Sequence, residues 1–123
     1  MASKKKVLVI EDDPSNQKIV ELVLSQFPCE VKVAGNGELG LEIAKVFLPD
    51  LILMDMMMPK MSGLDVLKAF RSIKGLAQVP VVIISAKASA EDAAQAIGLG
   101  ATEFLTKPFR IKELQGVVER FLN

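Results

Sequence analysis

The stretch Val7-Leu8-Val9-Ile10-Glu11-Asp12-Asp13 is an apolar run that stops abruptly at three acids. Two further runs behave alike: Leu51-Ile52-Leu53-Met54 is closed by Asp55, and Val81-Val82-Ile83-Ile84 by Ser85. Their length and β-branched content suit strands covered on both faces, the condition of a parallel sheet between helical layers. Two weaker candidates complete the set. Val31-Lys32-Val33 alternates as an edge strand does, and Glu103-Phe104-Leu105-Thr106 is bounded by Gly100 and Pro108.

Segments of helical period separate these strands. In the first, Ile19, Val20, Val23, Leu24 and Phe27 form a stripe behind Asp13-Pro14, an N-cap followed by proline at the first helical position. The second runs from about Glu38 to Leu48, with Leu41, Ala44 and Leu48 inward. A third starts at Ser62, with Asp65 three residues on, and buries Leu64, Leu67 and Phe70 or Ile73. Ser89 with Asp92 repeats that start signal for a fourth, which ends at Gly98 or Gly100. The last carries Ile111, Leu114, Val117, Val118 and Phe121. Strand and helix thus alternate five times, the pattern of an α/β layered domain. Right-handed crossovers and two covered faces predict a doubly wound, flavodoxin-like fold: a five-stranded parallel sheet, order 2-1-3-4-5, flanked by five helices.

Composition narrows the chemistry. The chain has 123 residues, half of them hydrophobic, enough for one domain with a sizeable core. Fifteen Lys plus Arg balance fifteen Asp plus Glu, and Trp and Tyr are absent, so neither a basic surface nor stacking platforms for nucleic acid are expected. Histidine is also absent, which excludes Ser/His and Cys/His nucleophile pairs and His-containing zinc sites. The single cysteine, Cys29, is expected to be a small apolar residue in a reducing cytoplasm. The basic start Met1-Ala2-Ser3-Lys4-Lys5-Lys6 precedes only four apolar residues, too few for a signal peptide or a spanning helix.

In doubly wound sheets ligands bind beyond the carboxyl ends of the strands. Glu11, Asp12 and Asp13, then Asp55, Ser85 and Lys107 stand there. Carboxylates gathered at one rim repel each other by about 4 kcal/mol per pair at ~4 Å and an effective dielectric near ~20, unless a cation is shared. A hard divalent ion with oxygen ligands and several waters fits, and Mg²⁺ fits best. The methionines Met56 to Met58 are soft and suit rim packing instead. Asp55 is the group expected to react, as a nucleophile that takes a phosphoryl group and forms an acyl phosphate. Mg²⁺ on Asp12, the Lys107 ammonium and the Ser85 hydroxyl would then face the phosphoryl oxygens. With no Gly-rich loop to hold a phosphate donor, the donor must bring its own phosphoryl group.

These residues resemble the receiver domain of two-component response regulators, the chemotaxis-regulator fold. The resemblance rests on Glu11-Asp12-Asp13 after the first strand, Asp55 followed by Met58-Pro59 and Ser62-Gly63, Ile83-Ile84-Ser85-Ala86, Gly100-Ala101, and Lys107-Pro108-Phe109. It implies one receiver domain over residues 1–123. It implies that Asp55 is the phosphoacceptor, with Asp12 a direct Mg²⁺ ligand, Glu11 acting through water, and the Met57 main-chain carbonyl a further ligand. Ser85 and Lys107 match the family's hydroxyl and lysine, with a cis peptide before Pro108. Phe104 stands at the switch aromatic position, often Tyr, where it has no hydroxyl to donate. A histidine kinase or histidine phosphotransfer protein is the implied donor. A downstream protein is the implied target of the face made by the fourth helix, fifth strand and fifth helix, with a phosphorylation-dependent homodimer as a further implied assembly. The resemblance also implies that Met57 and Lys87 stand at positions whose side chains vary within the family and modulate attack of water on the acyl phosphate.

Three other readings remain open. An aspartate-nucleophile phosphatase shares the fold but carries a second Asp two residues after the nucleophile, where Met57 stands. A dinucleotide module wants a Gly-rich turn where this chain has three acids. A degenerate receiver acting as a scaffold would have lost some of Asp12, Asp55, Ser85 and Lys107. Since the sequence stops at Asn123, directly after the fifth helical segment, either a single-domain regulator or an excised receiver is expected.

Overall fold

A computed structural model describes residues 4–58, 60–86 and 90–122. Met1 to Ser3, Pro59, Lys87, Ser89 and Asn123, to which sequence readings were attached, lie outside the described residues. In chain order the elements are β1 (Lys5–Ile10), α1 (Pro14–Leu24), β2 (Cys29–Ala34), α2 (Gly37–Phe47), β3 (Leu51–Asp55), α3 (Gly63–Ser72), β4 (Val81–Ser85), α4 (Ala90–Gly98), β5 (Glu103–Thr106) and α5 (Ile111–Leu122).

The five strands form one sheet in the order β2-β1-β3-β4-β5, parallel throughout. Because side chains alternate across a strand, each apolar run feeds two cores at once. Leu8, Ile10, Ile52, Met54, Val81 and Ile83 pack under α2, α3 and α4. Val7, Val9, Leu51, Leu53, Val82 and Ile84 pack against α1 and α5. Both sets are buried, which is why the sequence reads as continuous apolar runs with no polar alternation. Among the described residues no helix is long and apolar enough to cross a membrane.

Local signals work as their chemistry requires. The Asp13 carboxylate accepts from Ser15 N at 2.9 Å with Pro14 beside it, and Ser62 Oγ accepts from Asp65 N at 3.3 Å while donating to Asp65 Oδ2 at 3.0 Å. Cys29 is half-buried and its Sγ lies 3.5 Å from the Leu24 carbonyl, and burial pushes its thiol up from the usual range.

Several helix faces differ from expectation. Leu48 is half exposed: α2 ends one residue earlier, Leu48 N bonds the Ala44 carbonyl, and its left-handed backbone (φ 49°) turns the side chain out while Phe47 goes in. Helix α1 stops at Leu24, so Phe27 packs from the following turn, and Ile19 and Ile111 are left partly exposed. In α3 the fully buried apolar side chains are Val66, Leu67 and Phe70, with Leu64, and Ile73 just past the helix end, at the margin. The edge strand is twice the length expected, running from Cys29 to Ala34.

Candidate functional site

Strand register brings the predicted residues together. Ile10 pairs with Met54, so Glu11 leaves β1 level with Asp55 at the end of β3; Asp55 pairs with Ile84, and Ser85 with Thr106. Lys107 follows Thr106, and its backbone N–H bonds the Ser85 carbonyl at 2.8 Å. The Lys107–Pro108 peptide is cis, as expected. The rim of the sheet therefore carries Glu11, Asp12, Asp55, Ser85 and Lys107 without any long loop.

Glu11, Asp55 and Ser85 are buried, whereas Asp12 is exposed. One oxygen from each of Glu11, Asp12 and Asp55 lies within 4.8 Å of the others. Lys107 Nζ sits 2.8 Å from Glu11 Oε1 and 3.2 Å from Asp55 Oδ2. The remaining Asp55 oxygen accepts from Met57 N at 3.0 Å, and Glu11 Oε2 accepts from Asp13 N at 3.2 Å. Gln17 Nε2 donates to the Glu11 carbonyl at 2.6 Å and so fixes the turn that follows β1.

Burial pushes the Glu11 carboxyl above the usual range, against the hydrogen bond from Lys107, and the neighbouring Asp55 charge pushes the same way. Burial alone would lower Lys107. Its hydrogen bond to Glu11 and the charges of Asp55 and Glu11 outweigh that, and the ammonium is held above its usual range. Three carboxylates against one ammonium leave an excess of two negative charges if all are ionised, so a divalent cation matches the donor set in both charge and hardness. Glu11, Asp12 and Asp55 are the side chains that could hold it.

Met57 lies in the bend after β3 with its side chain largely exposed, and Phe104 is half-buried against the α2–α4 side of the sheet. Sequence reasoning did not foresee two structural supports. One is Gln17, whose contact with Glu11 depends on how α1 leaves the rim. The other is Gly63, whose N–H bonds the Met56 carbonyl at 2.9 Å. A Cβ there would lie 2.6 Å from Met56 Cα and 2.9 Å from the Asp55 carbonyl oxygen. Those are backbone atoms and have no rotamer to escape by. Gly63→Ala is therefore expected to push the Asp55–Met57 turn out of place, destabilise the fold by about 1–3 kcal/mol, and weaken Mg²⁺ binding. Urea unfolding and a Mg²⁺ titration of the folded variant check both effects.

Comparison with known proteins adds an independent line. The model of the response regulator receiver domain matches residues 7–119. The DNA-binding response regulator MtrA of Mycolicibacterium smegmatis is 35% identical over 111 residues, covering 90% of this chain and 47% of that protein. The cell cycle response regulator CtrA of Brucella ovis is 38% identical over 109 residues, covering 89% and 46%. The chain thus spans about half the length of the curated relatives it matches. Among solved structures, the chemotaxis response regulator CheY4 of Vibrio cholerae superposes with a TM-score of 0.90 at 30% identity, covering 98% of this chain and 100% of that one. The receiver domain of the sensor histidine kinase PA1611 of Pseudomonas aeruginosa, with a magnesium ion coordinated in its active site cleft, gives 0.88 at 28% identity, covering 98% of each.

Proposed function

The chain belongs to the response regulator receiver domain family of two-component systems, and from that membership we propose that it stores a signal as an acyl phosphate on Asp55. Receiver domains of this family interact with histidine kinases and downstream targets and bind Mg²⁺ at an acidic pocket. Residues 1–123 act as one receiver unit on this reading.

The supporting observation is the convergence of three carboxylates, with Lys107 already seated on Asp55. An Asp55 carboxylate oxygen attacks the phosphorus of a phosphohistidine on a kinase or phosphotransfer protein. The new O–P bond forms as the P–N bond breaks, and the departing imidazole nitrogen keeps the electron pair. Lys107, bound to both Glu11 and Asp55, moves its ammonium onto a phosphoryl oxygen, and the Ser85 hydroxyl donates to another. Glu11, Asp12 and Asp55, with the Met57 carbonyl, would hold Mg²⁺, which when bound supplies positive charge against the charge of the transferring group.

Phosphorylation then adds charge and acceptor oxygens, to which Ser85 and Lys107 donate. The movement of Ser85 toward the phosphoryl group lets Phe104 turn inward, and the face of α4, β5 and α5 changes shape for its protein partner. Phe104 brings no hydroxyl, so this switch is driven by packing.

Incubation with acetyl phosphate tests the reading. The expected result is about one acyl phosphate per chain, requiring Mg²⁺ and lost in EDTA, with no turnover of a chromogenic phosphate ester. Equal incorporation in EDTA would contradict it, and sustained ester turnover would point to a phosphatase, which Met57 in place of a second acid disfavours. The apolar Met57 side chain offers attacking water no hydrogen bond, so the acyl phosphate is expected to last minutes or longer. Loss of the label within seconds would refute that assignment.

A further inference from the structure

The outer edge of β2 is unpaired among the described residues, and its charge pattern is self-complementary. We infer that two copies of this chain associate through this edge, extending the sheet by antiparallel β2–β2 pairing about a two-fold axis at Val31. The surface shares no residue with the carboxylate site, so the inference does not rest on the phosphorylation reading.

The register follows from side-chain alternation. A two-fold axis normal to the sheet keeps each copy's α2 layer on the same side, so directly opposed residues must point to the same face. That restricts the centre of pairing to a residue. Centring on Glu30 sets Glu30 against its own copy, and centring on Lys32 sets Lys32 against its own copy; like charges directly opposed are destabilising. Centring on Val31 places each Glu30 opposite a Lys32, twice over, and aligns Cys29 with Val33. Among these registers the central one alone is favoured by charge.

The helical layer fits the same axis. Helix α2 packs over β1 and β2, so with strands about 4.8 Å apart the two α2 axes would run about 10 Å apart, the spacing of packed helices. Its residues Leu39, Ile43 and Val46 recur at helical spacing and line a groove of about 570 Å³ together with Glu30 and Lys32. Leu39 is 42% exposed and Val46 86% exposed, an apolar stripe that the monomer leaves in water and the second α2 would cover. Pro28 and Gly35 stand outside the strand, so no proline or bulge interrupts its six residues.

Sedimentation equilibrium of the full chain, from micromolar to about millimolar, tests this. Wild type is expected to show a reversible monomer–dimer equilibrium. Lys32→Glu and Glu30→Lys each replace two attractive cross-strand pairs with repulsive ones, and each should raise Kd by about tenfold. The two changes have opposite sign, so a shared loss does not arise from net charge or from the contact of Lys32 with the Phe47 ring. The double exchange Glu30→Lys with Lys32→Glu restores both pairs and should return Kd to within about threefold of wild type. Circular dichroism confirms folding, and both positions are exposed. A wild-type chain that stays monomeric at about 1 mM overturns the inference. So does a dimer unmoved by either single change, or one that the double exchange fails to restore.

Discussion

Asp55→Asn is expected to lower phosphoryl incorporation from acetyl phosphate, or from a phosphorylated kinase, by at least about 100-fold, the scale on which removal of a nucleophile acts. The amide has nearly the shape of the carboxylate and can still accept from Met57 N, as Asp55 Oδ1 does at 3.0 Å. Lys107 keeps its nearer partner, Glu11 Oε1, at 2.8 Å. The variant should therefore fold normally, with a circular dichroism spectrum and unfolding midpoint close to those of wild type. Mg²⁺ binding should weaken as well, because one of three clustered carboxylates loses its charge. Incorporation at the wild-type level would remove Asp55 from its role and leave Asp12 and Asp13 as the acids to examine.

Phe70→Ala carries the largest expected effect on stability. Phe70 is fully buried on α3, in the core that also holds Ile52, Met54 and Ile83. Truncation of a buried Phe removes its transfer free energy and leaves a cavity that close-packed neighbours fill only in part, a loss of about 3–5 kcal/mol. Single domains of this size have total stabilities of about 5–15 kcal/mol, so the variant should unfold at a markedly lower urea midpoint with an unchanged slope. Leu22→Ala is the control: Leu22 is 60% exposed on α1, and its loss should stay within about 0.5 kcal/mol. Equal effects of the two substitutions would mean that the packing around α3 has been misassigned.

The sheet was legible because its inner strands are buried on both faces. Val7 to Ile10, Leu51 to Met54 and Val81 to Ile84 each read as unbroken apolar runs, and right-handed crossovers leave little freedom in strand order. Glu11, Asp12, Asp55 and Ser85 followed from the same runs, since they stand where those strands stop, and Lys107 from the weaker fifth strand candidate. What lay outside local sequence was set by register and by chain reversals. Nothing in the sequence says that Lys107 approaches Glu11 more closely than Asp55, or that Glu11 is buried while its neighbour Asp12 is exposed. Those facts depend on which side of the sheet each residue faces after the strand ends. Leu48 has helical spacing but sits where the helix has already reversed. Ile19 and Ile111 also have core-like spacing, yet they stay 41% and 48% exposed while their neighbours Val20 and Leu114 are buried. Gly63 appeared in the sequence as the neighbour of a capping serine and as part of the resemblance, with no structural role attached to it. Its close approach to the Asp55–Met57 turn belongs to the packing of α3 against the end of β3.

On the proposed function one carboxylate of this rim is the phosphoryl acceptor, and it is Asp55. Reduction of the phosphorylated chain with borohydride converts an aspartyl phosphate to homoserine, which peptide mass spectrometry can place at a single residue. Homoserine at position 55, formed only when Mg²⁺ was present during phosphorylation, is the predicted result. Homoserine at Asp12 or Asp13, or a phosphate that survives mild alkali and yields no homoserine, would contradict it.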